Sequence, residues 1–80
     1  MPRHHYSESI RRHEAQGDLY GAAQARYNVA VTLMDFARFA EARNYAETAA
    51  RNFQTYGPGA ADEVQKTLEL ISRIAKAATA

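Results

Sequence analysis

Residues 22–53 constrain this chain more than any other stretch, because they hold two amphipathic helical patterns with almost nothing between them. From Ala22 onward, Arg26, Val29, Ala30, Leu33 and Phe36 recur at three- and four-residue steps, the spacing of one helix face. After only Ala37-Arg38, a second stripe follows in Phe39, Ala42, Ala46, Ala49, Ala50 and Phe53, with Glu41, Arg43, Asn44, Glu47 and Arg51 left for water. So short a connection forces the two helices antiparallel. Alanine at successive stripe positions lets their backbones approach closely. The pattern predicts a tight helical hairpin, 19–36 against 39–56.

Punctuation on either side extends the prediction to an all-α domain of four antiparallel helices over 1–80, at about 7–16, 19–36, 39–56 and 60–77. Seventeen alanines against two prolines and four glycines favour helix nearly throughout, and no segment reads as a strand. Ser7 suits an N-cap with Glu8 in the first turn, and residues 1–5 and 78–80 are expected to fray. Gly17-Asp18 supplies a left-handed helix end and then a cap for the next helix. Gly57-Pro58-Gly59 ends one helix and begins another. The last helix opens with Asp62 and Glu63 and closes with Arg73 and Lys76, each matched to the dipole at its end.

That last helix carries two apolar stripes, Val64, Leu68, Ile71 and Ala75 on one, and Leu70, Ile74 and Ala77 on the other. An 80-residue chain buries only roughly 60% of its unfolded surface, so apolar surface left over seeks a partner. Leu70, Ile74 and Ala77 are therefore expected to lack cover within the chain and to form the interface of a homo-oligomer, a two-fold dimer in the simplest case.

The sequence also repeats itself. Gly21-Ala22-Ala23 recurs as Gly59-Ala60-Ala61 at an offset of 38 residues, which carries Arg26, Ala30, Leu33 and Phe36 onto Val64, Leu68, Ile71 and Ile74. The hairpin resembles the tetratricopeptide repeat, whose 34-residue unit reads W-x2-L-G-x2-Y, then A-x3-F, then P. Val29-Ala30 takes the L-G place, Leu33 the tyrosine, Phe39 the aromatic after the turn, Ala42 the hallmark alanine and Ala49 the second small residue. Tyr27-Asn28-Val29-Ala30 is similar to the common Y-N-L-G variant. Arg26 stands where the family has Trp, Ala46 where it has Phe, and no proline closes the unit near Gln54. The period of about 38 to 40 resembles the long, kinesin light chain type of repeat, over about one and a half repeats within residues 6–74.

The resemblance implies a stacked helical-hairpin array that grips a peptide or protein segment on its concave face, a non-catalytic interaction module or scaffold. It assigns the ligand positions to Gln24, Tyr27, Asn28, Val31, Met34 and Asp35 on the helix at 19–36. On the helix at 60–77 it assigns them to Asp62, Gln65, Lys66, Glu69, Ser72 and Arg73. Of these, Gln24, Tyr27, Asn28, Val31, Asp35, Lys66, Glu69 and Arg73 are the expected peptide-binding set. Asn28 is the sharpest, since a side-chain amide can both donate to and accept from an extended backbone. The alternative is a self-associating structural domain that uses the unpaired terminal helices.

Other chemistries find little support. Ten Lys plus Arg against nine Asp plus Glu give a net charge of +1, too balanced for a dedicated nucleic-acid binder, and Glu41 and Glu47 would face phosphate if the hairpin were a helix-turn-helix. With no cysteine there is no disulfide or thiolate site, and His4, His5 and His13 lack the one-turn spacing of a helical metal pair. Gly57-Pro58-Gly59 is not followed by the Lys-Ser or Lys-Thr of a phosphate loop. Ser7, Ser9 and Ser72 lie in no nucleophile elbow, and Asp35 and Glu69 read as solvated carboxylates beside basic residues. The expectation is no enzyme, no cofactor, no metal, no nucleic acid and no membrane. The N-terminus has no signal-peptide core, so a cytoplasmic location is expected.

Overall fold

The computed structural model describes residues 10–12, 14 and 17–80, and every element among them is helical. Three helices, α1 (Leu19–Asp35), α2 (Phe39–Tyr56) and α3 (Ala61–Thr79), follow an N-terminal helix to which the helical residues 10–12 and 14 belong. A short 3-10 turn, Pro58–Ala60, leads into α3. The expected Ser7 cap, the frayed residues 1–5, the bounds of the 7–16 helix and the three histidines lie outside the described residues.

Each boundary has a local cause. Gly17 sits at φ 70°, and its N–H donates to the Glu14 carbonyl at 3.0 Å. Asp18 then caps α1, its carboxylate accepting from the Gly21 N–H at 2.7 Å. The α1–α2 turn contains neither glycine nor proline, so Ala37 itself takes the left-handed conformation at φ 59°. The Ala37 N–H donates to the Met34 carbonyl and the Arg38 N–H to the Leu33 carbonyl, both at 2.9 Å, the paired bonds of a Schellman ending. Helix α1 therefore stops one residue earlier than its pattern suggests. Phe36, now outside the helix, is 62% exposed instead of completing the apolar stripe. At the other end of α2, Gly57 lies at φ 114° and ψ −165°, a region essentially closed to side chains.

The α1–α2 seam is the alanine interface read from the sequence, with Ala30, Ala42, Ala46 and Ala49 fully buried. Around it, one core cluster gathers Ile10 of the N-terminal helix, Val29 and Leu33 of α1, Ala42 and Ala46 of α2, and Leu70 and Ile74 of α3. A second joins Ala23, Ala49, Phe53 and Ala60, and the partly buried Tyr27 borders both. Arg26, on the stripe where the repeat pattern has Trp, reaches two elements. One of its guanidinium nitrogens donates to Asn52 Oδ1 of α2 at 2.6 Å, and the other pairs with Glu14 at 3.1 Å.

The expected oligomer interface is corrected by α3. Leu70 and Ile74 are 1% exposed and Ala77 is half-buried, so this stripe faces the chain's own core and Leu70 and Ile74 offer no surface to a partner. It is Leu68, at 45%, that lies open. At about 100° per residue, positions two apart fall on nearly opposite sides of a helix, so burial of Leu70 turns Leu68 outward. Thr67 completes the inner stripe, its hydroxyl satisfied by the Glu63 carbonyl at 2.6 Å.

Candidate functional site: the groove between α1 and α3

Two short connections make α1 antiparallel to α2 and α2 antiparallel to α3, so α1 and α3 run in the same direction. Their shared polarity is visible at one end, where Tyr20 in the first turn of α1 meets both Glu63 in the first turn of α3 and Tyr56 in the last turn of α2. Between α1 and α3 lies a groove of two adjoining clefts. The deeper, of about 300 Å³, is walled by Gln24, Tyr27 and Asn28 on α1 and by Glu63 and Lys66 on α3. Phe53, 2% exposed, and the fully buried Thr67 form its floor. The second, of about 450 Å³, runs on along Tyr27, Lys66, Glu69, Ser72, Arg73 and Lys76.

Most of the expected ligand set therefore converges. Gln24, Tyr27, Asn28 and Lys66 line the first cleft, and Tyr27, Lys66, Glu69 and Arg73 line the second. Asn28 is exposed, with its side-chain amide free to meet a ligand, while its carbonyl accepts from the Thr32 hydroxyl at 3.0 Å. Val31 and Asp35 do not join them. Val31 is half-buried against the first core cluster, and Asp35, exposed in the last turn of α1, lines neither cleft. Phe53, Glu63, Thr67 and Lys76 complete the lining and are not among the expected ligand positions. The part of the floor contributed by α2, Phe53, is invisible to a pattern that follows α1 and α3 alone.

The electrostatics of the two clefts differ. In the deeper one a single carboxylate, Glu63, stands near a single cation, Lys66. In the outer one Lys66, Arg73 and Lys76 outnumber Glu69, and among the described residues none of these three cations has an ion pair within 4 Å. The Tyr20 hydroxyl donates to Glu63 Oε2, one of the residues that line the deeper cleft. This bond raises the Tyr20 phenol above its ordinary range, because ionisation would break it and set two negative charges together. The same bond is the main cause that lowers the Glu63 carboxyl, with Lys66 a lesser one. The Tyr20 ring packs edge-on against Phe53, centroids 5.4 Å apart, and tilted against Tyr56 at 5.2 Å.

No protein-family model, curated protein or solved structure matches this chain. Among the described residues no group of three or more His, Cys, Asp or Glu is placed to hold a metal ion, and no helix is long and apolar enough to cross a membrane.

Proposed function

We propose that this chain is a non-catalytic interaction module of the tetratricopeptide-repeat type, acting in the cytoplasm, that holds a peptide or protein segment in the groove between α1 and α3. One observation carries the reading: residues 38 positions apart in the sequence, Asn28 and Lys66, wall a single cleft whose floor is an aromatic ring. Side-chain amides at the rim suit an extended backbone, and an apolar floor suits one inserted side chain. A few placed polar groups around an apolar base are the ordinary make-up of a binding cleft.

The test is selection from a peptide-display library on the immobilised protein, followed by calorimetric titration and chemical-shift mapping of the enriched sequences. Bound peptide should perturb Gln24, Tyr27, Asn28 and Lys66 above all. Asn28→Ala should weaken binding several-fold while stability stays within about 0.5 kcal/mol, as expected for an exposed side chain. No enrichment over scrambled sequences, or shifts clustered on the outer face of α3, would overturn the assignment.

Leu68 favours a second reading, self-association, because it is an apolar side chain 45% exposed between the half-buried Val64 and Ile71. In that reading Leu68→Glu lowers the sedimenting mass. A wild-type chain that sediments as a monomer at high micromolar concentration removes it.

A further inference from the structure

Helix α3 gathers its positive charge in one place. Its basic residues, Lys66, Arg73 and Lys76, all line the outer cleft, and Lys66 and Lys76 are the only lysines in the sequence. Three cations against the single carboxylate of Glu69 leave the cleft an excess of two positive charges, more than the net +1 of the whole chain. Three arginines elsewhere are matched, Arg38 with Glu41 at 2.7 Å, Arg43 with Glu47 at 3.3 Å and Arg26 with Glu14 at 3.1 Å. Among the described residues, Lys66, Arg73 and Lys76 have no ion pair of that kind.

The chemistry of the lining narrows what could balance that charge. Arg73 and Lys76 are one helical turn apart, Ser72 adjoins Arg73, and all three are exposed. A guanidinium fork, an ammonium and a hydroxyl offer many donors to an oxyanion. A single carboxylate would leave one of the two excess charges unmatched. A phosphomonoester carries about −1.5 to −2 at pH 7 on three acceptor oxygens, which matches the excess. Lys66 lines both clefts and marks where they adjoin. Arg73 lies seven residues further along α3, about 10 Å at the helical rise. An extended segment covers that distance in about three residues.

We propose that the outer cleft is a phosphoryl subsite, and that the segment held between α1 and α3 carries a phosphorylated serine or threonine about three residues from the side chain seated on Phe53. The subsite rests on the groove reading above and adds to it the chemistry of the partner. Arg73 and Lys76 hold the phosphoryl oxygens, Ser72 donates to them, and Lys66 stands beside the stretch between the two seats. Glu69 opposes the anion and so penalises it when the contacts to Arg73 and Lys76 are incomplete. Phosphorylation of the partner then switches its hold on this chain, and added salt weakens that hold.

The test offers the immobilised protein degenerate peptide pools, each with a fixed phenylalanine and, three positions to either side of it, phosphoserine, serine or glutamate. The phosphoserine pool should be retained about tenfold better than the serine pool, the scale of one or two charge-assisted hydrogen bonds, and several-fold better than the glutamate pool. Calorimetry on an enriched phosphopeptide should show that gain lost when Arg73→Gln and Lys76→Gln are combined and increased in Glu69→Gln. Its serine form should bind all of these proteins alike, since the altered side chains are exposed and circular dichroism should show the fold intact. Reductive methylation with a carbon-13 label keeps the lysine charge and gives side-chain signals from Lys66 and Lys76 alone, and the phosphopeptide but not its serine form should shift that of Lys76. Equal retention of the phosphoserine and serine pools would overturn the subsite and leave the groove standing, whereas retention of no pool would overturn both. Equal retention of the phosphoserine and glutamate pools would overturn it in favour of an acidic segment. A phosphate gain that survives the combined Arg73→Gln and Lys76→Gln variant would also overturn it.

Discussion

Replacing Ala37 by glycine should make this protein more stable, although glycine in a helical chain usually does the reverse. Ala37 lies at φ 59° in the turn between α1 and α2, and its side chain is exposed. An L-residue in that conformation is penalised by about 1–2 kcal/mol because Cβ crowds the carbonyl oxygen that follows it. Glycine relieves the crowding but enlarges the ensemble of the unfolded chain, which returns about 0.4–1 kcal/mol. No packing is lost, since the methyl group faces solvent. The difference is a net gain of roughly 0.5–1 kcal/mol, or about 2–8 °C in Tm for a domain of this size.

Thermal melts and urea titrations followed by helical circular dichroism measure this directly, with an unchanged urea slope marking a change in stability alone. Ala75→Gly is the matched control. It is the same chemical change at an exposed site inside α3, and it should destabilise by about 0.8–1 kcal/mol. Opposite signs for the two variants are the expected result. If Ala37→Gly lowers Tm as Ala75→Gly does, Ala37 is not left-handed in solution and the Schellman ending of α1 is wrong.

Three further outcomes follow from the packing. Ala46→Leu, at a fully buried seam position, should cost about 1–3 kcal/mol by forcing α1 and α2 apart, measured as a shift in urea midpoint. Leu70→Ala should cost about 2–5 kcal/mol while Leu68→Ala changes stability by no more than about 0.5 kcal/mol, and reversal of that order would return the outer stripe to the core. The Tyr20–Glu63 hydrogen bond should leave a mark on stability against pH. Because the Tyr20 phenol is raised, its contribution is complete below the ordinary phenol range and fades as pH climbs through the raised value. Because the Glu63 carboxyl is lowered, its contribution is complete above the ordinary carboxylate range and fades as pH falls through the lowered value. The difference curve between wild type and Tyr20→Phe should therefore be flat from about pH 5 to pH 9 and decline on both sides. A difference curve that is zero throughout would mean that the bond does not form.

The hairpin could be read from residues 22–53 because its signals agree with one another: a 3.6-residue period on both arms, small residues at the seam, and a spacer too short for any crossover. The bounds of α2 follow directly, since the stripe begins at Phe39 and Gly57 ends it. Helix α3 was ambiguous for a physical reason. Two apolar stripes on one helix compete for one packed side, and apolar character alone does not distinguish Leu68 from Leu70. Projecting α1 onto α3 at an offset of 38 pairs Ala30 with Leu68, yet α1 is packed against α2 and α3 with Ile10 in the same core, whereas α3 packs on one side only. Thr67 held the missing clue. It falls three residues before Leu70 and seven before Ile74, and a threonine can occupy a helix interior when its hydroxyl finds the carbonyl four residues back.

The groove follows from how the core is distributed along the hairpin. Where α1 meets α2, the fully buried residues are mostly alanines, which bring two helices close but give α3 little to lie against. The larger buried side chains, Leu33, Leu70, Ile74 and Val29, cluster together, and they draw α3 onto the hairpin there. Near the start of α1 the buried interior is Ala23, Ala49, Ala60 and the ring of Phe53, with the half-buried Tyr20, Tyr27 and Val64 packed around it. A cleft remains between α1 and α3 above Phe53, lined by Gln24, Tyr27, Asn28, Glu63, Lys66 and Thr67. Phe53 then serves both as core and as floor. Phe53→Leu should separate those roles: the cavity it leaves is small, with a cost of about 1–3 kcal/mol by analogy with partial core truncations. A segment that seats a side chain on the ring should lose affinity beyond what that change in stability explains. Equal binding by Phe53→Leu and wild type, measured well below both melting temperatures, would show that nothing rests on the floor of the cleft.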